Sequence, residues 1–274
     1  MIDIKGRVVL VTGAASGLGK VLSRKFGFAG ASVLLSDLQA ELGEAVAAEL
    51  RGDGIRAEFC AANLNAEKEI VNLIGTCKNI FGSLDILVNN ARPPLKNLSF
   101  PNSMSEWDLA MSVLLKAPAL AVAAALPELE RSRRGVVISI SSTNAYQISH
   151  QPLSYHVAKA AIIQMTRHLA YELGPKGIRV NAICPGLIEV TEKNQNTKSN
   201  LIKQLITETV IPVGRAAQPD EIADLALFLS SDMSSYINGQ AITIDGGMTL
   251  GCQYHSAMRV LNSELGSKKW TPST

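Results

Sequence analysis

The stretch Val8-Val9-Leu10-Val11-Thr12-Gly13-Ala14-Ala15-Ser16-Gly17-Leu18-Gly19 decides the fold. A β-branched run, 7–12, ends in a loop carrying three glycines, and a helical pattern over 17–29 follows at once. Gly13 permits a tight turn off the strand. Gly17 removes a side chain so that backbone can approach a ligand, and Gly19 permits close packing of the helix. The first-turn N–H groups of that helix lack intrahelical acceptors and lie at the positive end of its dipole. Ser16, Gly17, Leu18 and Gly19 therefore offer a cradle for a pyrophosphate. Three glycines in a row of eight can be a turn and nothing more. Placed between a strand and a helix, they are the context in which the motif binds dinucleotides.

Working outward, strand-like runs at 7–12, 32–36, 55–60, 85–88, 135–141, 178–183 and 240–244 alternate with helical segments. Those segments fall at 17–29, 39–51, 66–80, 103–130, 154–173 and 219–230. Such alternation predicts βαβ units and an α/β fold. The expected architecture is a doubly wound Rossmann fold, a seven-stranded mostly parallel sheet with helices on both faces. With no internal repeat or linker, residues 1–250 are expected to form one nucleotide-binding domain. Residues 187–214 start polar and turn helical around 199–209; a connection this long beside a strand end predicts a substrate lid. Residues 251–274 form a C-terminal tail whose packing the sequence leaves open.

Composition excludes several classes of function. The chain has 274 residues, 47% apolar and 18% charged, a globular balance. A net charge of +2 without a dense Lys/Arg block argues against nucleic acid or an anionic membrane as partner. Cys60, Cys77, Cys184 and Cys252 lie far apart and form no metal-ligand spacing, which predicts reduced thiols, no metal and a cytoplasmic protein. The most apolar segment, 113–129, is interrupted by Lys116 and two prolines, and reads as too short and broken to span a bilayer.

Asp37 gives a second, independent signal. It ends the second strand, where a carboxylate accepts hydrogen bonds from the adenosine ribose hydroxyls and repels a 2′-phosphate. No Lys or Arg stands at Ser16 or Leu38 to favour a phosphorylated ribose, so NAD(H) is expected over NADP(H). The alternative is that Asp37 is a helix N-cap.

Tyr155-His156-Val157-Ala158-Lys159 places a phenol and an ammonium four residues apart on one helix face. A phenol is a poor base at neutral pH; a neighbouring cation stabilises the phenolate and makes it a workable general acid/base. Such a pair is common by chance on surfaces. Ser142 raises its weight, because it ends the strand 136–142, and ligands of open α/β sheets bind at the carboxyl ends of strands.

With these motifs in place, the chain resembles the short-chain dehydrogenase/reductase family over about residues 5–250. It matches the TGxxxGxG loop (Thr12 to Gly19), the NNA motif (Asn89-Asn90-Ala91) and the Ser…YxxxK site (Ser142, Tyr155, Lys159). It also matches RVNxxxPG (Arg179-Val180-Asn181, Pro185-Gly186) and a late DGG (Asp245-Gly246-Gly247). The resemblance implies interconversion of a secondary alcohol and a ketone by hydride transfer, with NAD(H) as cofactor. Tyr155 would be the acid/base, Ser142 would orient the carbonyl, and Lys159 would hold the nicotinamide ribose. Asn63, Leu64, Asn90, Ala91, Pro185, Gly186 and Ile188 would line the cofactor. It also implies a homotetramer, or a homodimer, through the apolar segment 110–129.

The chain departs from the family pattern at three positions. Arg92 stands where a glycine usually follows NNA, Asn63 replaces an aspartate, and Leu114 replaces the asparagine that supports a water in the proton relay behind the lysine. Leu114 and Arg92 keep a second reading open, a degenerate relative that binds NAD(H) in a regulatory or structural role with little turnover. Nucleotide-sugar epimerases fit less well, since they resemble a TGxxGxxG loop on a longer chain. Thr143, Asn144, Tyr146, His150, Ile188 and the lid are expected to line the substrate pocket. If Arg92 points inward it favours an anionic or polyhydroxylated substrate.

Overall fold

The computed structural model describes residues 2, 4–95, 103–189 and 204–252, together with Tyr254, Ala257 and Met258. Seven strands, β1 (Val8–Thr12), β2 (Ser32–Asp37), β3 (Ala57–Ala61), β4 (Ile86–Asn89), β5 (Val136–Ile140), β6 (Arg179–Pro185) and β7 (Ala241–Ile244), form one sheet in the order β3-β2-β1-β4-β5-β6-β7. Every pairing is parallel, so the sheet is parallel throughout rather than mostly so. The predicted doubly wound Rossmann architecture is the one observed. All seven strand readings match an observed strand, with ends displaced by up to two residues.

The alternation of Val8 and Leu10 with Val9 and Val11 explains why β1 is central. Side chains of a strand point to opposite faces, and β1 is buried on both. Val9 and Val11 join a core with Leu22 and Phe26 of α1 (Gly17–Phe28), Leu50 of α2 (Ala40–Gly52) and Ile222 of α7 (Pro219–Ser230). Val8 and Leu10 join the opposite core. There they meet Leu73 of α3 (Glu67–Phe81), Ala121 and Leu129 of α5 (Ala117–Ser132) and Ala170 of α6 (Leu153–Leu173). Strand order reverses direction at β1, which pairs with β2 on one side and β4 on the other. Chain leaving β1 and chain leaving β4 therefore diverge, opening a crevice at the carboxyl edge of the sheet.

The segment expected as one helix over 103–130 is more structured than that. Helix α4 (Met104–Met111) passes through a π-helical turn, Ser112–Lys116, into α5, and the whole runs to Ser132. Ser103 caps its start by accepting from Glu106 N–H at 3.2 Å. The expectation that this apolar stretch is too short and broken for a membrane is corrected. Met104–Ser132 is 29 residues long, and its most apolar 18-residue stretch has a mean hydropathy of 2.0, so by length and composition alone it is long and apolar enough to cross one. Pro118 sits near the start of α5 and Pro127 inside it, and neither ends the helix. Its buried face packs on the sheet core and against α3.

Of the expected lid, 190–203 lies outside the described residues, as do most of the tail residues after Cys252. Residues 204–209 are helical. The stem is held on both sides: Ile188 bridges Ala217, Ala217 N–H donates to Leu187 O at 2.9 Å, and Val213 N–H donates to Gly246 O at 3.2 Å.

Candidate active site

The glycine loop shows why each glycine is needed. Gly13 has φ +67°, and a Cβ there would lie 2.7 Å from Ala91 Cα, so the loop after β1 is pressed against the chain leaving β4. A Cβ on Gly19 would lie 1.9 Å from Gly13 O. Gly17 has φ +51° and no protein atom within 4 Å of its missing Cβ, which leaves that side of the cradle open. Ser16, the N-cap of α1, makes no side-chain capping bond. The loop therefore fits a diphosphate group: the first-turn N–H groups of α1 are free of side-chain caps and the approach is clear.

Thr12 and Asn90 lock this loop to β4. Thr12 Oγ1 accepts from Asn90 N–H at 3.1 Å and Ala91 N–H at 3.2 Å. Asn90 Nδ2 donates to Thr12 O and Gly13 O, both at 3.0 Å. The Asn90 amide, expected along the cofactor, here braces the glycine loop. Asp37 Oδ2 accepts from Ala15 N–H at 3.0 Å and Oδ1 from Gln39 N–H at 3.1 Å. It is not the N-cap of α2, which is Gln39, so the capping alternative is ruled out. A carboxylate has about four acceptor sites, so Asp37 keeps capacity for hydroxyl donors. Neighbouring Leu38 is 68% exposed. Asn63 turns its Oδ1 to Asn65 N–H at 3.0 Å and shapes the turn after β3, beside half-buried Leu64.

At the end of β5 the three predicted catalytic side chains come together. Ser142, Tyr155 and Lys159 are all buried. The Ser142 hydroxyl accepts from Asn144 N–H at 3.1 Å and lies near enough to Tyr155 to favour its phenolate. Lys159 Nζ donates to Ile140 O at 2.6 Å and lies 5.4 Å from the Tyr155 ring centroid. Ser141 Oγ donates to Lys159 O at 2.7 Å and pins α6 to β5. Burial raises the Tyr155 phenol above its ordinary pKa, while Arg92 and the Ser142 hydrogen bond pull it down. Burial first, and the nearby Arg92 charge second, lower Lys159 to about 7, with Cys184 opposing.

Three features of this site have no signature in spacing alone. Arg92 points inward: its guanidinium lies 4.9 Å from the Tyr155 ring centroid and donates to Gln151 Oε1 at 2.8 Å. His156 orders the turn before α6, accepting from Ser149 N–H at 3.0 Å and donating from Nδ1 to Pro152 O at 3.0 Å. Leu114 sits on the π turn, 1% exposed, against Tyr155 and Ala158. With Asn89, Ser139 and Lys159 it lines a cavity of about 10 Å³.

The expected substrate residues divide. Asn144 borders Ser142, and Tyr146 Oη lies 3.8 Å from Cys184 Sγ at the base of the site. His150 is exposed and the structure does not bring it to Ser142 or Tyr155. Gly186 has a reason other than a ligand, since its Cβ would lie 2.8 Å from Asp245 Cβ. Asp245 itself holds the turn after β7, accepting from Gly247 N–H at 2.9 Å and Thr249 N–H at 2.8 Å. Pro185 is the last residue of β6, and Ile188 forms a bridge with Ala217.

A dinucleotide cradle at a strand-order switch, with a buried Ser–Tyr–Lys group beside it, defines a nicotinamide-dinucleotide oxidoreductase. The comparisons agree. Residues 13–249 match the family described as enoyl-(acyl carrier protein) reductase. Over 248 residues the chain is 35% identical to the 3-oxoacyl-[acyl-carrier-protein] reductase FabG of Aquifex aeolicus, covering 90% of this chain and 99% of that protein. It is equally 35% identical to the 2,5-dichloro-2,5-cyclohexadiene-1,4-diol dehydrogenase LinX of Sphingobium indicum, covering 90% and 98%. The structure of L-sorbose reductase from Gluconobacter frateurii, complexed with NADPH and L-sorbose, is similar with a TM-score of 0.86 at 27% identity, covering 92% and 99%. The chain belongs to the short-chain dehydrogenase/reductase family.

Proposed function

We propose that the protein is an NAD(H)-dependent oxidoreductase that interconverts a secondary alcohol and a ketone. The observation that carries this reading is the buried Ser142–Tyr155–Lys159 group at the carboxyl end of β5, on the same sheet edge as the glycine loop. The nicotinamide supplies or accepts the hydride. Tyr155 donates its hydroxyl proton to the carbonyl oxygen in reduction and takes it back in oxidation. Ser142 donates a hydrogen bond to that oxygen as charge develops on it. Lys159, fixed by Ile140 O, would hold the nicotinamide ribose. Gly13, Ser16, Gly17, Leu18 and Gly19 would hold the diphosphate; Asp37 would take the adenosine ribose and disfavour a 2′-phosphate. Asn63, Leu64, Asn90, Ala91, Pro185 and Ile188 complete the cofactor channel, and Asn144, Tyr146 and Arg92 face the substrate.

One domain spanning 1–250, closed by the 187–214 lid, acts on a small alcohol or carbonyl compound in the cytoplasm, as a homotetramer or homodimer. The test is turnover of NAD(H) with a panel of alcohols and ketones, run on the wild type and Tyr155→Phe. The phenylalanine keeps the ring packing and loses only the hydroxyl, so turnover should fall by about 10²–10⁴-fold with NADH binding unchanged. A wild-type rate in Tyr155→Phe overturns the mechanism. The second reading, an NAD(H)-binding protein with little turnover, draws on apolar Leu114 beside Lys159. It predicts tight NADH binding and no rate with any member of the panel.

A further inference from the structure

Arg92 does something the family pattern has no residue for, because that pattern has a glycine here. We propose that Arg92 is a second cation over the Tyr155 ring that, beside Lys159, raises the acidity of this tyrosine, acting as a positioning residue. The inference rests on Tyr155 being the proton-transfer group.

The geometry places Arg92 for this role. Its guanidinium stands 4.9 Å from the ring centroid, nearer than Lys159 Nζ at 5.4 Å. Gln151 Oε1 holds it there at 2.8 Å, and Gln151 belongs to the turn that His156 orders. Around the phenol, α4 and the π turn contribute Ala110, Met111 and Leu114, none of them charged. Helix α6 contributes Lys159 and the His156 ring, edge-on at 6.4 Å. The turn after β5 contributes Ser142, and β6 contributes Cys184, whose thiol acts on Lys159. No carboxylate among the described residues acts on Tyr155.

Lys159 stands 5.4 Å from the same ring, with its Nζ committed to Ile140 O, and burial first and Arg92 second lower its pKa to about 7. Arg92 is exposed, and an arginine stays charged throughout the alkaline range in which a buried phenol ionises.

The test needs no substrate. Phenolate ultraviolet absorbance is titrated on the NADH-bound protein, within the alkaline range where far-UV circular dichroism shows the fold intact. Subtracting the same titration of Tyr155→Phe isolates Tyr155 from the other four tyrosines. In Arg92→Met the Tyr155 step should move up by about one pH unit, a ~10-fold change in phenolate at fixed pH, and Arg92→Lys should restore most of it. Because Arg92 is exposed, raising salt should move the wild-type step the same way and leave that of Arg92→Met in place. A step at the same pH in wild type and Arg92→Met, or in neither, overturns the inference, as does a wild-type step indifferent to salt. The salt series decides the matter if Arg92→Met fails to fold. Failure here, with Tyr155→Phe still inactive in turnover, removes Arg92 alone; a fully active Tyr155→Phe removes the reading on which it rests.

Discussion

Substituting Gly19 by alanine tests the cradle directly. The added methyl would lie 1.9 Å from Gly13 O and 2.7 Å from both Gly13 C and Asn90 Nδ2. An ordinary non-bonded contact needs about 3.5 Å, so something must move by more than ~1 Å. Gly13 cannot retreat easily, because Ala91 backbone stands behind it and its own φ is +67°. If the loop shifts, the two Asn90 Nδ2 bonds to Thr12 O and Gly13 O are lost or strained, each worth about 1 kcal/mol. Overpacking adds about 1–3 kcal/mol. We expect Gly19→Ala to cost ~3–5 kcal/mol, out of a total stability of about 5–15 kcal/mol. For a chain of this size that lowers Tm by roughly 10 °C. Displacing the first-turn N–H groups should also weaken NADH at least ~10-fold.

Differential scanning calorimetry and isothermal titration with NADH measure both effects. Gly75→Ala in the middle of α3 is the control, since no heavy atom lies within 4 Å of its missing Cβ. It should gain about 0.5–1 kcal/mol from helix propensity. A Gly19→Ala protein with Tm and NADH affinity equal to wild type would refute the packing argument and, with it, the account of why the loop needs its third glycine.

Asp37→Ala combined with Leu38→Arg should move cofactor preference towards NADP(H) by ~10-fold or more, read by titration with NADH and NADPH; NADPH binding the wild type as tightly as NADH sinks the assignment. Leu114→Asn should raise the rate or shift its pH profile, because the amide would join Asn89, Ser139 and Lys159 around the 10 Å³ cavity, at the lower limit for one water. Its amide costs about 1–3 kcal/mol if unpaired, so Tm is followed alongside; a stably folded variant with an unchanged rate shows that protons leave by another path. Light scattering at micromolar concentration should return four times the 29.2 kDa chain mass, or twice it, and a monomer mass refutes assembly through the 110–129 face.

What the sequence makes legible follows the range over which each signal acts. Strands such as Val8–Thr12 are short β-branched runs buried on both faces, so their existence and order are readable while their ends are set by pairing partners. The glycine loop is a local device: Gly13 and Gly19 answer to contacts with each other and with the chain leaving β4, and Gly17 to its positive φ. Gly186 shows the limit of that logic. A glycine needed for close approach looks the same whether a ligand or the Asp245 backbone approaches, and here it is Asp245. The π turn at Ser112–Lys116 has no propensity signature, because adding one residue to a helical turn leaves its composition unchanged. Leu114 could therefore be placed against the family pattern by spacing, but its packing with Tyr155 and its place with Lys159 on the wall of one cavity needed the packed helix.

Arg92 is the furthest from local reading. A glycine replaced by arginine after an NNA motif says only that a long cation is near, and its direction depends on the chain that returns after β5. That return is built by His156, which ties Ser149 and Pro152 into the turn carrying Gln151, and Gln151 turns the guanidinium onto the ring. The two departures are then linked by one physical requirement. A buried phenol that must ionise needs a cation that stays charged; burial and Arg92 both lower Lys159, and the apolar Leu114 offers it no hydrogen bond. A double-mutant cycle makes the link measurable. If Leu114→Asn restores the lysine's support, removing Arg92 should cost less phenolate in the Leu114→Asn background than in wild type, and equal costs in both would show that the two positions act independently.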